Sequence, residues 1–264
     1  MSDSKETSAS SDHVPVASFS EHLMELRKGL IRSLLACLVG WIIAYWKSAD
    51  FFKVLIHPVQ QAYAYFPQFS SQHVFLQTLE PIEVFMINLR LIFLVGILLA
   101  SPVWIREIWV FASPGLKSHE RGVVFWIFTA GMFFFLLGAS GAYFFIIPVA
   151  LRFLIQYNIG YHLLPRWSLG KYFDFLISFL LAFGCVCELP LIMAALSFFG
   201  LVPPTFYSSK RKIAILGIFI LAAFLTPTGD PVTQTILAIP LLILFELGIQ
   251  LSFLAFRHRK TMVG

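Results

Sequence analysis

The residues able to do chemistry sit at a few isolated points in an apolar chain. Arg106 to Arg121 reads REIWVFASPGLKSHER, a polar stretch dense in side chains that bind ions or peptides. Directly after it, Gly122 to Leu151 contains no Asp, Glu, Lys, Arg or His. A run of that length crosses a bilayer as a helix, since ~20 apolar residues suffice. The polar stretch is therefore expected at a membrane face between two spanning helices, where a membrane protein without an enzyme site does its recognition. Glu120 within it either meets a ligand or pairs with Lys117 or Arg121, and exposed pairs of that kind contribute only ~0–1 kcal/mol. Glu25 lies in Glu21-His-Leu-Met-Glu-Leu-Arg-Lys28. Ser18 and Glu21 have capping-box spacing, so a helix is expected to start there. Glu21, Glu25, Lys28 and Arg32 then line one ridge, either as a recognition surface or as a solvated face with intrahelical pairs.

A third carboxylate, Glu188, interrupts an otherwise uncharged run. An ionisable group in mid-membrane costs at least a few kcal/mol and is rarely idle. Pro190 follows two residues on and cannot donate to the carbonyl of Val186, which leaves a free acceptor nearby. Glu188 reads as a polar docking point or proton-responsive group; the alternative is a neutral Glu satisfied within its own helix.

Other candidate chemistry is weaker. Gly138-Ala-Ser140-Gly141 matches the G-x-S-G of rhomboid-type intramembrane proteases. Such a serine needs a histidine base within reach, and no later apolar run contains one: His162 falls in a loop and His258 in the tail. Small residues also let helices pack closely. Cys37, Cys185 and Cys187 lie in apolar runs and read as small core hydrophobes. No metal-ligand cluster, Walker loop or dinucleotide motif occurs, so neither metal nor cofactor is expected, nor a catalytic residue.

These points are positioned by membrane helices. The chain has 264 residues, 58% hydrophobic and only 12% charged, with a mean hydropathy of +0.82; soluble domains carry about twice that charge. An all-α polytopic protein is expected, with six spans near Leu26–Trp46, Ile82–Val103, Val123–Leu151, Phe173–Leu201, Ile213–Leu225 and Val232–Phe256. Spans 5 and 6 are expected to be short, the sixth broken by Pro240 and carrying Glu246 and Gln250. Residues 1–18 are polar, lack the pattern of a signal peptide and read as a disordered cytoplasmic tail; residues 258–264 form a second cytoplasmic tail. Thirteen Lys and Arg fall on the side of both termini and the polar stretch, five fall on the other, and Arg90 lies within span 2. Both termini are thus expected in the cytoplasm, in a bacterial inner membrane. The net charge of +5 reflects this bias and does not argue for nucleic acid. The outer loops, 47–81 and 152–172, carry aromatics and prolines, as an ordered cap would.

Together, FASPGLKSHER (Phe111–Arg121), HLMELRKGL (His22–Leu30), CELP (Cys187–Pro190) and TQTILAIPLLILFE (Thr233–Glu246) resemble the TatC family of the twin-arginine protein translocase. The resemblance covers Phe19 to Arg257, leaving 19–257 as one membrane domain. It implies a concave, glove-like six-helix bundle that acts as a receptor for twin-arginine signal peptides. Such a receptor works with single-span TatA and TatB subunits, and in larger self-associated complexes, to export folded proteins on the proton-motive force. By position it implies that Glu25 and Glu120 contact the signal peptide, with Arg27, Lys28, Phe111, Pro114, Leu116 and Arg121 around them. It also implies that Pro58 is the proline of the first external loop, Glu188 the buried glutamate of span 4, and Asp230 and Gln234 a polar pair before span 6. Arg106-Glu107 departs from the family, where many relatives have Tyr-Gln, and the turn Thr226–Asp230 is one residue longer than usual. The chemistry fits: a carboxylate and a guanidinium join through two parallel hydrogen bonds, a geometry Lys cannot copy. Two carboxylates at one rim suit two adjacent arginines. The competing reading is a proton-coupled secondary transporter using Glu188 and Arg90, although the paired repeats usual in transporters are absent from the sequence.

Overall fold

In hydrocarbon every backbone N–H and C=O must be satisfied within the chain, so the apolar runs become helices. The computed structural model describes residues 19–66, 76–113, 118–163, 166–225 and 231–263, with only the backbone described at 19–22, 112, 118–121, 123, 225, 258 and 260–263. Its helices are α1 (Phe19–Trp46), α2 (Ser48–Ala64), α3 (Glu83–Ala112), α4 (Ser118–Gly141), α5 (Ile147–Gly160), α6 (Leu169–Cys187), α7 (Leu189–Phe198), α8 (Pro204–Ser209), α9 (Arg211–Leu225) and α10 (Pro231–Val263). The expected tails at 1–18 and at Gly264 lie outside the described residues, whereas 258–263 continue α10.

Among the described residues, five helical stretches are long and apolar enough to cross a membrane: Leu23–Trp46, Glu83–Phe111, Val124–Gly160, Leu169–Phe198 and Pro231–Arg257. The sixth apolar helix, α9, has 15 residues, or roughly 22 Å against a hydrocarbon core of ~30 Å. It is as short as expected. Span 6 is not: α10 runs unbroken for 33 residues through Pro240. The carboxylate of Glu246, which made the sequence look interrupted, is held by the Arg211 guanidinium at 2.9 Å.

Two spans depart from the regular α-helical pattern near prolines. Between α4 and α5, residues Ala142–Ile146 form a π-helical turn in which the Ile147 N–H reaches the Ala142 carbonyl, five residues back. Pro148, next in line, has no N–H to continue the ladder. Span 4 breaks at Glu188, where Pro190 opens α7.

Glycines set the helix spacing. Cβ atoms on Gly138 and Gly184 would run into Cys187 and the Phe135 ring, at 2.6 Å each, so α4 and α6 meet closely and antiparallel. Gly248 brings α10 against Met193 and Pro190 of α7. The small residues Gly138–Gly141 thus serve packing through Gly138.

The described parts of the 47–81 and 152–172 loops pack together as a cap. Strands β1 (Leu76–Gln77) and β2 (Trp167–Ser168) pair in parallel, Leu76 with Trp167 and Gln77 with Ser168. Glu83 closes the joint, accepting from Leu79 N (2.7 Å), Ser168 Oγ (2.7 Å) and Gly170 N (2.6 Å). The Tyr143 and Tyr172 hydroxyls donate to the Val54 and Leu55 carbonyls of α2, each at 2.6 Å. Pro58 is fully buried inside α2. Tyr63 beside it packs on Trp167; burial pushes its phenol well above the ordinary range, so it stays neutral at physiological pH.

Candidate functional site: a helix rim and an apolar groove

The rim is set by the pairing of α1 with α3. Gly29 lies against Glu107 and Gly40 against Gly96, so the helices run antiparallel in a fixed register. Trp41 Nε1 donates to the Phe93 carbonyl at 3.3 Å and its ring meets Phe93 at 4.7 Å. Continuing that register one turn beyond Gly29 brings Glu25 level with Phe111, the residue that opens FASPGLKSHER. Glu120, within the same stretch, lies in the first turn of α4. Glu25, Arg27 and Lys28 are exposed and Phe111 is half-buried. Pro114 and Leu116 lie outside the described residues, and the side chains of Glu120 and Arg121 are likewise not described.

Behind the rim sits a carboxylate whose role the sequence did not disclose. The Glu107 side chain is only 6% exposed and accepts from Arg106 Nη1 at 2.9 Å and Arg32 Nη1 at 3.4 Å. Its identity stood out as a departure from the family pattern, but its partner Arg32 lies 75 residues away and nothing in the spacing announces it.

The second feature is a groove between α3, α4, α6 and α7 that encloses a cavity of about 550 Å³. Its lining is apolar, with Leu94, Leu98, Phe128, Met132 and Leu181 among the walls, and carries Glu188 and Ser101 as polar points. The Glu188 carboxylate lies over Gly131, where an added Cβ would stand 3.0 Å from Oε2. Glycine there makes room for the carboxyl. Arg90 does not join Glu188: it pairs with Asp174 at 2.8 Å, linking α3 to α6. Gln234 donates to the Phe219 carbonyl at 2.8 Å and ties α10 to α9; Asp230 lies outside the described residues. Among the described residues no group of His, Cys, Asp or Glu could hold a metal ion.

The profile of a family described as TatC, Sec-independent protein translocase protein, matches residues 21–240. A TatC of Carboxydothermus hydrogenoformans is 37% identical over 87% of this chain and 90% of its own length. One from Aquifex aeolicus is 36% identical over 92% and 98%. A solved structure described as the twin-arginine translocase receptor TatC superposes with a TM-score of 0.72 at 35% identity, covering 89% of this chain and 99% of that one.

Proposed function

This chain belongs to the TatC family of Sec-independent protein translocase subunits, and from that premise we propose that it is a receptor for twin-arginine signal peptides. The observation that carries the reading is the antiparallel register of α1 and α3, which sets Glu25 level with Phe111 at the head of FASPGLKSHER, the stretch that contains Glu120. Two helices, α1 and α4, each carry one of these glutamates, and each carboxylate takes one guanidinium of the paired arginines in a bidentate grip. Arg27, Lys28, Phe111, Pro114, Leu116 and Arg121 shape the surroundings, and the apolar part of the signal peptide lies along the exposed apolar faces beyond.

The groove is the second half of the proposal. A spanning helix of a TatA- or TatB-type subunit docks there, with its apolar side on Leu94, Phe128 and Leu181 and a polar group meeting Glu188. A carboxyl in hydrocarbon gains from each further hydrogen bond, so a partner that supplies one is favoured when it arrives. Gln234 and Asp230 mark a further contact. The protein works in the bacterial inner membrane with both termini in the cytoplasm, self-associates in a larger complex, and exports folded proteins on the proton-motive force without enzymatic chemistry.

The test is binding of a labelled twin-arginine signal peptide to the purified protein in nanodiscs, beside the same peptide with two lysines. The arginine peptide is expected to bind at least about ten-fold tighter, the loss of one charge-assisted contact. Equal affinities overturn the reading.

A further inference from the structure

Among the described residues near the rim, Glu107 is the most deeply buried charged side chain, and it holds two arginines from two helices. We infer that it is a positioning residue for the signal-peptide site, fixing the rotation of α1 so that the Glu25 ridge faces the end of α3. The inference rests on the peptide-receptor reading above and adds to it a residue that does not touch the peptide.

Three observations carry it. Arg32 on α1 and Arg106 on α3 reach the same carboxylate, one at each oxygen, so Glu107 joins the two helices. Gly29 lets it approach: a Cβ there would stand 3.5 Å from Glu107 Oε2 and 3.6 Å from Glu107 Cβ. Glu25, Gly29 and Arg32 share one face of α1, since residues four and seven apart nearly eclipse on a helix. Whatever orients Gly29 and Arg32 toward α3 therefore orients Glu25 with them. Elsewhere the α1 surface is exposed and apolar, including Leu30, Leu34, Leu38 and Ile42. Lipid gives such a face no preferred rotation, so polar and close-packed contacts set it. Glu107 is such a contact within about two turns of Glu25, whereas the Gly40–Gly96 approach lies about four turns away.

A carboxylate that positions differs from one that binds, because a neutral cross-link can replace only the first. The 3.6 Å Cβ separation lies within disulfide range, ~3.5–4.5 Å. The experiment uses the full chain in nanodiscs with Cys37, Cys185 and Cys187 changed to Ala. Glu107→Ala and Arg32→Ala are each expected to weaken twin-arginine peptide binding about ten-fold, and the double variant no further, because both break one link. Gly29→Cys with Glu107→Cys is expected to bind weakly when reduced. After oxidation by copper phenanthroline it is expected to recover to within about two-fold of the parent. Thermal melting of each variant separates loss of register from loss of fold. Parent-like binding by Glu107→Ala, additive losses, failure of the disulfide to form, or an oxidised protein that stays weak would each overturn the inference. Glu25→Gln in the same series keeps the two readings apart. If it binds like the parent, the peptide-site reading fails; if it is weak while Glu107→Ala is not, only the positioning role fails.

Discussion

Gly40 of α1 and Gly96 of α3 meet backbone to backbone. A Cβ built on Gly40 runs into the Gly96 carbonyl, and one built on Gly96 runs into Trp41. This contact sets how near the two helices lie and carries the register that places Glu25 beside Phe111.

Because backbone cannot yield as a flexible side chain does, Gly40→Ala and Gly96→Ala should push α1 from α3. Overpacking of this kind costs ~1–3 kcal/mol. Thermal melting in detergent should fall for both, and peptide binding with it. Gly217→Ala is the matched control, since a Cβ there meets nothing within 4 Å. Melting of Gly96→Ala equal to that of Gly217→Ala would contradict the close approach.

Glu83 closes the outer cap by accepting from Leu79, Ser168 and Gly170. Glu83→Ala leaves two backbone N–H groups and a hydroxyl without that acceptor. Protease added from the outer side should cut the cap loops of Glu83→Ala faster than those of the parent. Glu83→Gln, which keeps one acceptor oxygen, should fall between them. Unchanged cleavage of Glu83→Ala would show that the strand pair holds without it.

Glu188 distinguishes a hydrogen bond from a charge. If partner docking in the groove needs only a hydrogen bond, Glu188→Gln should keep most export of a folded reporter and Glu188→Ala should lose it. If the carboxylate itself is needed, both should fail. Blotting checks that each variant reaches the membrane. Full export by Glu188→Ala at normal levels would remove the docking role.

Topology follows from the Lys and Arg bias. Cysteines placed at Ser118 and Ser209 should label in intact cells only after permeabilisation, whereas one at Ser70 should label from outside. Outside labelling at Ser118 would reverse the orientation and with it the peptide site.

Much of the architecture was legible because a bilayer leaves an apolar run few alternatives to helix. The apolar helices and the odd shortness of α9 follow from where charges stop and start, although α3 and α5 run on to Ala112 and Gly160, past the expected span ends at Val103 and Leu151. The path of α10 did not, because Pro240 and Glu246 look like interruptions until Arg211, 35 residues earlier, is seen to hold the glutamate. Arg90 is a similar case: Asp174, which pairs with it, is 84 residues away, so the residue looked available to Glu188. Gly40 and Gly96 carry no local signal either, since a glycine in an apolar helix reads the same whether it faces lipid or another backbone. At the site, the family motifs named Glu25 and Glu120, but the register that relates Glu25 to the polar stretch, and Glu107 beneath it, needed the packed helices.

The most direct measurement is twin-arginine peptide binding to Glu25→Ala, Glu120→Ala and the double variant, each purified in nanodiscs. Losing one charge-assisted contact costs ~1.5–3 kcal/mol, or roughly 10- to 150-fold in affinity. Each single variant should weaken binding by that amount, and the double variant should bind arginine and lysine peptides alike. Parent-like affinity in both single variants and in the double variant would contradict the assignment of these carboxylates to the paired arginines.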